Sequence, residues 1–132
     1  MANLNSFEEL ECWKESVLLR KKIRLVTNGF PSGEKFRLTD QLIRASRSVT
    51  ANIAEGFGRF HYLENSKFCR MSRGSLNEII DHLIVAEEEG YISNEKLIEL
   101  KQAANKCIAI LNGYINYLLR AKFSEKKKTT TN

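Results

Sequence analysis

Proline is nearly missing from this chain: Pro31 stands alone among 132 residues, beside seven glycines. With so little turn chemistry and little alternation of apolar and polar residues, antiparallel sheet is not expected and helix is. No apolar run approaches the ~20 residues that span a bilayer. The opening MANLNSFEELECW carries acids where a secretory leader needs a basic start and an apolar stretch. The expected location is therefore cytoplasmic, with no membrane partner. Cysteine is scarce as well. Cys12, Cys69 and Cys107 are odd in number and show no C-x-x-C or Cys/His spacing, which argues against a disulfide framework or a metal ligand set and for buried free thiols. A chain this short supports one core rather than two.

What the sequence has is helical periodicity. The first predicted helix runs from about Ser6 to Thr27, with Ser6 as N-cap, Glu8 and Glu9 against the helix dipole, and Asn28-Gly29 with Pro31 as its stop. Its inward positions are expected at Leu10, Trp13, Val17, Leu19, Ile23 and Val26. The second, from about Phe36 to Glu55, points Leu38, Leu42, Ala45, Val49 and Ile53 inward. The third, from about Tyr62 to Glu89, places Cys69, Ser72, Leu76, Ile79, Ile80 and Leu83 on one side, and Gly90 stops it. Ser93 with Glu95 opens the fourth, where Leu97, Leu100, Ala104, Cys107, Leu111, Tyr114 and Leu118 repeat at alternating steps of three and four. That is the seam of an antiparallel bundle. The expectation is an all-α, antiparallel, up-down-up-down four-helix bundle over residues 1–122. A basic tail, 123–132, is expected to be disordered, because SEKKKTTTN has no apolar residue. Beside the fourth seam lie Ile98, Ile108, Ile115 and Leu119, and a second apolar strip signals a wide core or a subunit contact. These four are the expected oligomer interface.

Charge is unevenly spread within a net of +5. Residues 37–73 hold seven basic and three acidic side chains, residues 74–99 one basic and seven acidic, and residues from 100 onward seven basic and one acidic. Such a division suits nucleic acid or head-to-tail self-association. At ~100° per residue, with Arg37 at zero, Arg44 falls near 340° and Arg47 near 280°, while the apolar positions of that helix gather near 120°. Lys67, Arg70 and Arg73 form a similar strip on the third helix, and Arg59 and His61 lie in the link between. Together the seven cations are expected to track phosphates of RNA or DNA across two adjacent helices. The plainer alternative is a solvated face whose ion pairs contribute ~0–1 kcal/mol each. An acidic partner protein could dock on the same arginines. No helix-turn-helix, zinc finger, RRM or KH pattern is present, and stacking residues are few (Phe57, Phe60, Tyr62 and Phe68), so base-specific reading is not expected.

No catalytic residue, metal or cofactor is implied. His61 and His82 have no nucleophile motif around them, and the Ser-x-x-Lys copies at Ser32 and Ser124 lie in a turn and in the tail. The Glu-x-x-His of di-iron bundles is missing, since Glu78 precedes His82 by four. In the central TANIAEGFGRF, Gly56-Phe57-Gly58 follows a helix and lacks the third glycine of a dinucleotide loop. Gly56 is read as a helix stop free to turn left-handed, with Gly58 aiding the reversal. Glu55 falls near 0° on the same wheel, four residues before Arg59. It is either in an exposed ion pair or, with Asn52, in a polar contact at a subunit interface.

FEELECWKESVLL, LTDQLIRASRSVTANIAEGFGR, SRGSLNEIIDHLIVAEEEGYIS and LNGYINYL together resemble the four-helix-bundle proteins encoded by intervening sequences of bacterial 23S ribosomal RNA genes. The similarity covers about residues 6 to 120, and its most specific block is S-x-x-A-N-I-A-E-G-x-G-R. The resemblance implies antiparallel bundles that assemble as homopentamers. It also implies a relation to the accessory proteins of diversity-generating retroelements, basic pentameric barrels that bind nucleic acid and a reverse transcriptase. It implies no catalytic residues. Asn52, Glu55, Gly56, Gly58 and Arg59 match the signature block, while Thr50 stands where the family usually has proline.

Overall fold

The computed structural model describes residues 4–131, and side chains as far as residue 124. Ser6 does open the chain, but on a 3₁₀ turn: its hydroxyl oxygen accepts the Glu8 amide at 3.1 Å over Phe7–Glu9. Leu10 is then extended, and helix α1 proper spans Glu11–Thr27. Helices α2 (Leu38–Phe57), α3 (Tyr62–Glu88) and α4 (Asn94–Thr131) follow, with no strand among the described residues. The tail expected to be disordered instead continues α4 as far as Thr131. Glu125 and Lys126 to Lys128 are ready helix formers, and neither glycine nor proline interrupts them. Asn132 lies outside the described residues.

Contacts between helices give the directions. Arg20 on α1 meets Thr50 on α2, Val49 and Ser48 on α2 meet Ser72 and Ser75 on α3, and Asn65 and Arg73 on α3 meet Tyr114 and Asn112 on α4. In the α2–α3 and α3–α4 pairs the numbers rise on one helix as they fall on the other, so these neighbours run antiparallel. Lys106 to Glu15 closes the ring from α4 to α1 at 3.2 Å. The α3–α4 corner is fixed by a Schellman motif. Gly90, at φ 79°, lets its own amide reach Glu87 O at 2.9 Å and the Tyr91 amide reach Ala86 O at 2.9 Å, which satisfies carbonyls the helix end leaves open. Ser93 then accepts the Lys96 amide at 3.1 Å to start α4.

The five inward positions foreseen on α2 and all seven on the α4 seam are buried. On α1 the buried stripe is Cys12, Ser16, Leu19, Ile23 and Thr27, while Trp13, Val17 and Val26 are only half-buried. Two members of that stripe are polar, so they escape an apolar count. Ser16 donates to Cys12 O at 2.7 Å and Thr27 to Arg24 O at 3.0 Å, which satisfies their hydroxyls locally. One oligomer assignment is corrected here. Ile115 is 4% exposed and belongs to the core of the single chain, leaving no surface for a subunit contact. At ~100° per residue with Leu97 at zero, Ile115 also falls near 0°, inside the seam sector. Ile108 near 20° is half-buried, and Leu119 near 40° and Ile98 near 100° are 38% and 49% exposed.

The central glycines are also corrected. Gly56 is helical and buried, α2 running one residue past it to Phe57, and Gly58 caps the helix at φ −71° in the right-handed region. Gly56 serves proximity instead: a Cβ there would sit 2.6 Å from Asn65 Oδ1, 2.9 Å from Phe68 Cβ and 3.0 Å from Asn65 O. The same two helices also carry small polar groups bonded at or near their seam. Ser72 donates to Val49 O at 2.7 Å, Ser48 and Ser75 share a bond of 3.0 Å, and Asn52 donates to Ser48 O at 2.9 Å and Ser48 Oγ at 3.0 Å. Asn52 is thus engaged within its own chain.

Candidate nucleic-acid interface

The seven cations expected to form one surface do not share one. Arg47 turns toward α1, whereas Arg73 crosses to α4 and donates to Asn112 Oδ1 at 2.7 Å. Arg59 is tied down by Glu55 at 2.9 Å and Glu64 at 3.5 Å, with its guanidinium 5.0 Å from the Phe68 ring centre. In the single chain Glu55 and Arg59 remain about half exposed in this pair. Arg44 lies 3.7 Å from Asp40. Arg37, Lys67 and Arg70 are exposed. The helical wheel of one helix gives the outward direction but not which neighbour lies on either side, and that is why the strip divides.

A basic site does form, with different partners. Arg20, Lys21 and Arg24 of α1 meet Arg47 of α2 across a groove of about 230 Å³ floored by Ile43 and Ser46. Among the described residues none of these four cations has a carboxylate within 4.0 Å. Arg20 is positioned by donating from Nη1 to Thr50 Oγ1 at 2.8 Å, while Thr50 donates to Arg47 O at 3.2 Å. Thr50 therefore holds one wall of the groove through its hydroxyl. Four like charges around one groove repel one another and concentrate a positive potential, which an anion relieves. Guanidinium groups bind phosphate oxygens with paired N–H donors. The three α1 cations were missed in sequence because five acids accompany six bases over residues 1–36, which hides a basic face inside a near-neutral count.

A second concavity, of about 210 Å³, opens at the end of the bundle where α2 gives way to α3. Phe57, Phe60, His61 and Tyr62 reach it from the α2–α3 link, and Tyr114 and Tyr117 from α4. Asn65 and Tyr114 form its buried floor, joined by a 3.0 Å bond from Asn65 Nδ2 to the tyrosine oxygen. Burial pushes the Tyr114 phenol up to about 12, so it stays protonated at neutral pH.

Nothing in either place is arranged as an acid–base or nucleophilic pair. His82 contacts Glu78 at 3.3 Å on a solvated helix face. Burial raises the thiols of Cys12 and Cys69 to about 12 and Cys107 to about 11, the reverse of an activated nucleophile. Among the described residues no three His, Cys, Asp or Glu side chains gather to hold a metal, and no helix is long and apolar enough to cross a membrane.

Comparison with known proteins places residues 8–113 within the model of a family described as 23S rRNA-intervening sequence protein. Among solved structures, the chain is similar to a protein of unknown function from the S23 ribosomal protein family of Bacteroides thetaiotaomicron VPI-5482. The match has 18% identity and a TM-score of 0.73, and covers 80% of this chain and 95% of that one. At that identity the likeness is one of fold. No curated protein matches the chain.

Proposed function

We propose a function from one premise: the chain belongs to the family of 23S rRNA-intervening sequence proteins. It is a non-enzymatic bundle that binds the phosphate backbone of RNA or DNA without strong sequence preference. The observation that carries this reading is the α1–α2 groove, where Arg20, Lys21, Arg24 and Arg47 converge without a neutralising acid. Lattices of paired surface charge attract an anion weakly, whereas an unpaired cluster attracts it strongly. Homopentameric assembly and kinship with the basic accessory proteins of diversity-generating retroelements, both implied by the family resemblance, fit this reading. Several grooves on one assembly would engage one strand together, raising avidity without new contacts.

Fluorescence anisotropy with a labelled single-stranded RNA tests the reading. If four cations meet phosphate, log K falls against log salt with a slope near −3 for each groove engaged, at ~0.7 per charge. Replacing Lys21 and Arg47 by Ala makes the slope shallower by about 1.4 and weakens all sequences alike. The absence of binding at ~50 mM salt, or an unchanged slope in the double variant, overturns the proposal. So does equal affinity for polyglutamate, which would instead point to an acidic partner protein docking at the groove.

A further inference from the structure

We infer that the concavity at the end of the bundle receives an unpaired nucleobase, so that the protein prefers single-stranded nucleic acid to a duplex. This rests on the phosphate-binding reading of the groove and adds to it a second site of different chemistry.

Three observations converge. First, the site gathers six ring-bearing side chains from two stretches about fifty residues apart in sequence: Phe57, Phe60, His61 and Tyr62 from the first, Tyr114 and Tyr117 from the second. Phe60 is 99% exposed, a ring that contributes nothing to the core and offers a free face at the rim. Flat heteroaromatic bases stack on such faces whatever their sequence. Second, the floor is polar and has a donor to spare. Tyr114 uses its oxygen to accept the Asn65 amide proton, and among the described residues no acceptor takes the tyrosine's own hydroxyl proton. A buried hydroxyl of that kind suits the edge of a base rather than an aliphatic chain, because a hydrocarbon there would leave it unsatisfied.

Third, the site lies on the path of the groove. Thr50, which positions Arg20, and Phe57, which lines the concavity, are seven residues apart and so on the same side of α2. From Arg47 to Phe57 is ten residues, about 15 Å of helix, a distance that a single strand of a few nucleotides covers. Beyond the site α4 runs on from Leu118 to Thr131 and carries Arg120 and Lys122, cations placed for the strand as it leaves. Arg59 is not counted as a phosphate ligand, since Glu55 and Glu64 already hold it. Within a duplex a base is stacked and paired, and a concavity of about 210 Å³ has room for one base rather than a stacked pair.

The test uses the full chain and two probes of equal length at ~50 mM salt: a single strand carrying one 2-aminopurine, and the corresponding duplex. The wild type should quench the 2-aminopurine and bind the single strand more tightly. Phe60→Ala, at a fully exposed position that folding does not need, should weaken the single strand about 5- to 100-fold, abolish quenching, and leave duplex affinity within twofold. Lys21→Ala with Arg47→Ala should weaken both probes. Equal wild-type affinity for both probes, or a Phe60→Ala variant that keeps its single-strand affinity or loses both probes equally, overturns the base site while phosphate binding stands. Failure of the wild type to bind either probe overturns both.

Discussion

At Gly56 two effects of opposite sign meet, and their sizes decide what substitution does. Alanine inside a helix is favoured over glycine by roughly 1 kcal/mol, but the Gly56 Cβ would lie 2.6 to 3.0 Å from Asn65 and Phe68. Overpacking of that kind costs about 1–3 kcal/mol, and Asn65 cannot step aside without giving up its bond to Tyr114. Gly56→Ala is therefore expected to lower unfolding free energy by up to about 2 kcal/mol, whereas Gly113→Ala, with nothing within 4 Å, should raise it by about 0.5–1 kcal/mol. Urea denaturation of the two variants checks this, and a Gly56→Ala that is more stable than wild type would refute the close-approach role. The buried thiols give a pH dependence at the same scale. Cys12, Cys69 and Cys107 are raised from 9.0 to about 12, 12 and 11, so between pH 9 and 11 the unfolded chain has lost protons that the folded chain keeps. Their contribution is whole below pH ~9 and is lost as pH rises toward the folded values, on the order of 1 kcal/mol per pH unit for each thiol. Urea midpoints should accordingly drop from pH 8.5 to 10.5, and Cys69→Ala should flatten the drop; a midpoint that holds constant rules the effect out.

At the scale of elements, existence and order were legible because each helix carries its own period and punctuation. The run from Leu97 to Leu118 reads as a seam from spacing alone, and the structure buries all seven of its residues. Gly90 was readable as a stop because only a positive φ closes the α3 end in that way. What spacing could not supply is pairing. Gly56 looked like a stop because a glycine near a helix end usually is one, and the reason for it, Asn65 and Phe68 across the seam, sits on another helix. The α1 register slipped for a related reason: Ser16 and Thr27 are buried hydroxyls that bond their own backbone, invisible to an apolar count. The basic site follows the same logic. Arg47 was legible as an outward cation, but its companions Arg20, Lys21 and Arg24 become companions only once α1 is known to lie against that side of α2. Thr50→Val tests the positioning of Arg20: it should leave thermal stability nearly unchanged and weaken single-strand binding severalfold, with rescue by Thr50→Ser.

For the whole molecule, the apolar surface left outside the core bears on assembly. Once Ile115 is assigned to the core, Ile98 and Leu119 at 49% and 38% exposed remain on α4, joined by the half-buried Ile108. They flank the side on which Arg73 bonds Asn112, so an assembly formed there would use the α3–α4 side of the bundle and leave the α1–α2 groove open. The two functions assigned to opposite sides then do not compete for surface, and each can be removed without the other. Ile98→Glu with Leu119→Glu should reduce the mass seen by light scattering at micromolar concentration to one chain of 15.2 kDa while the melting transition stays in place. Ile115→Ala, by contrast, opens a cavity in the single chain and should lower stability by about 2–5 kcal/mol. A wild type that already scatters as one chain removes the assembly from the proposal. A double variant that remains assembled moves the contact elsewhere, the exposed Leu18 and Leu25 of α1 being the next surface to test. Monomerisation should also lower the apparent affinity for long strands more than for short ones, because avidity needs several grooves on one particle while a strand of a few nucleotides can occupy only one.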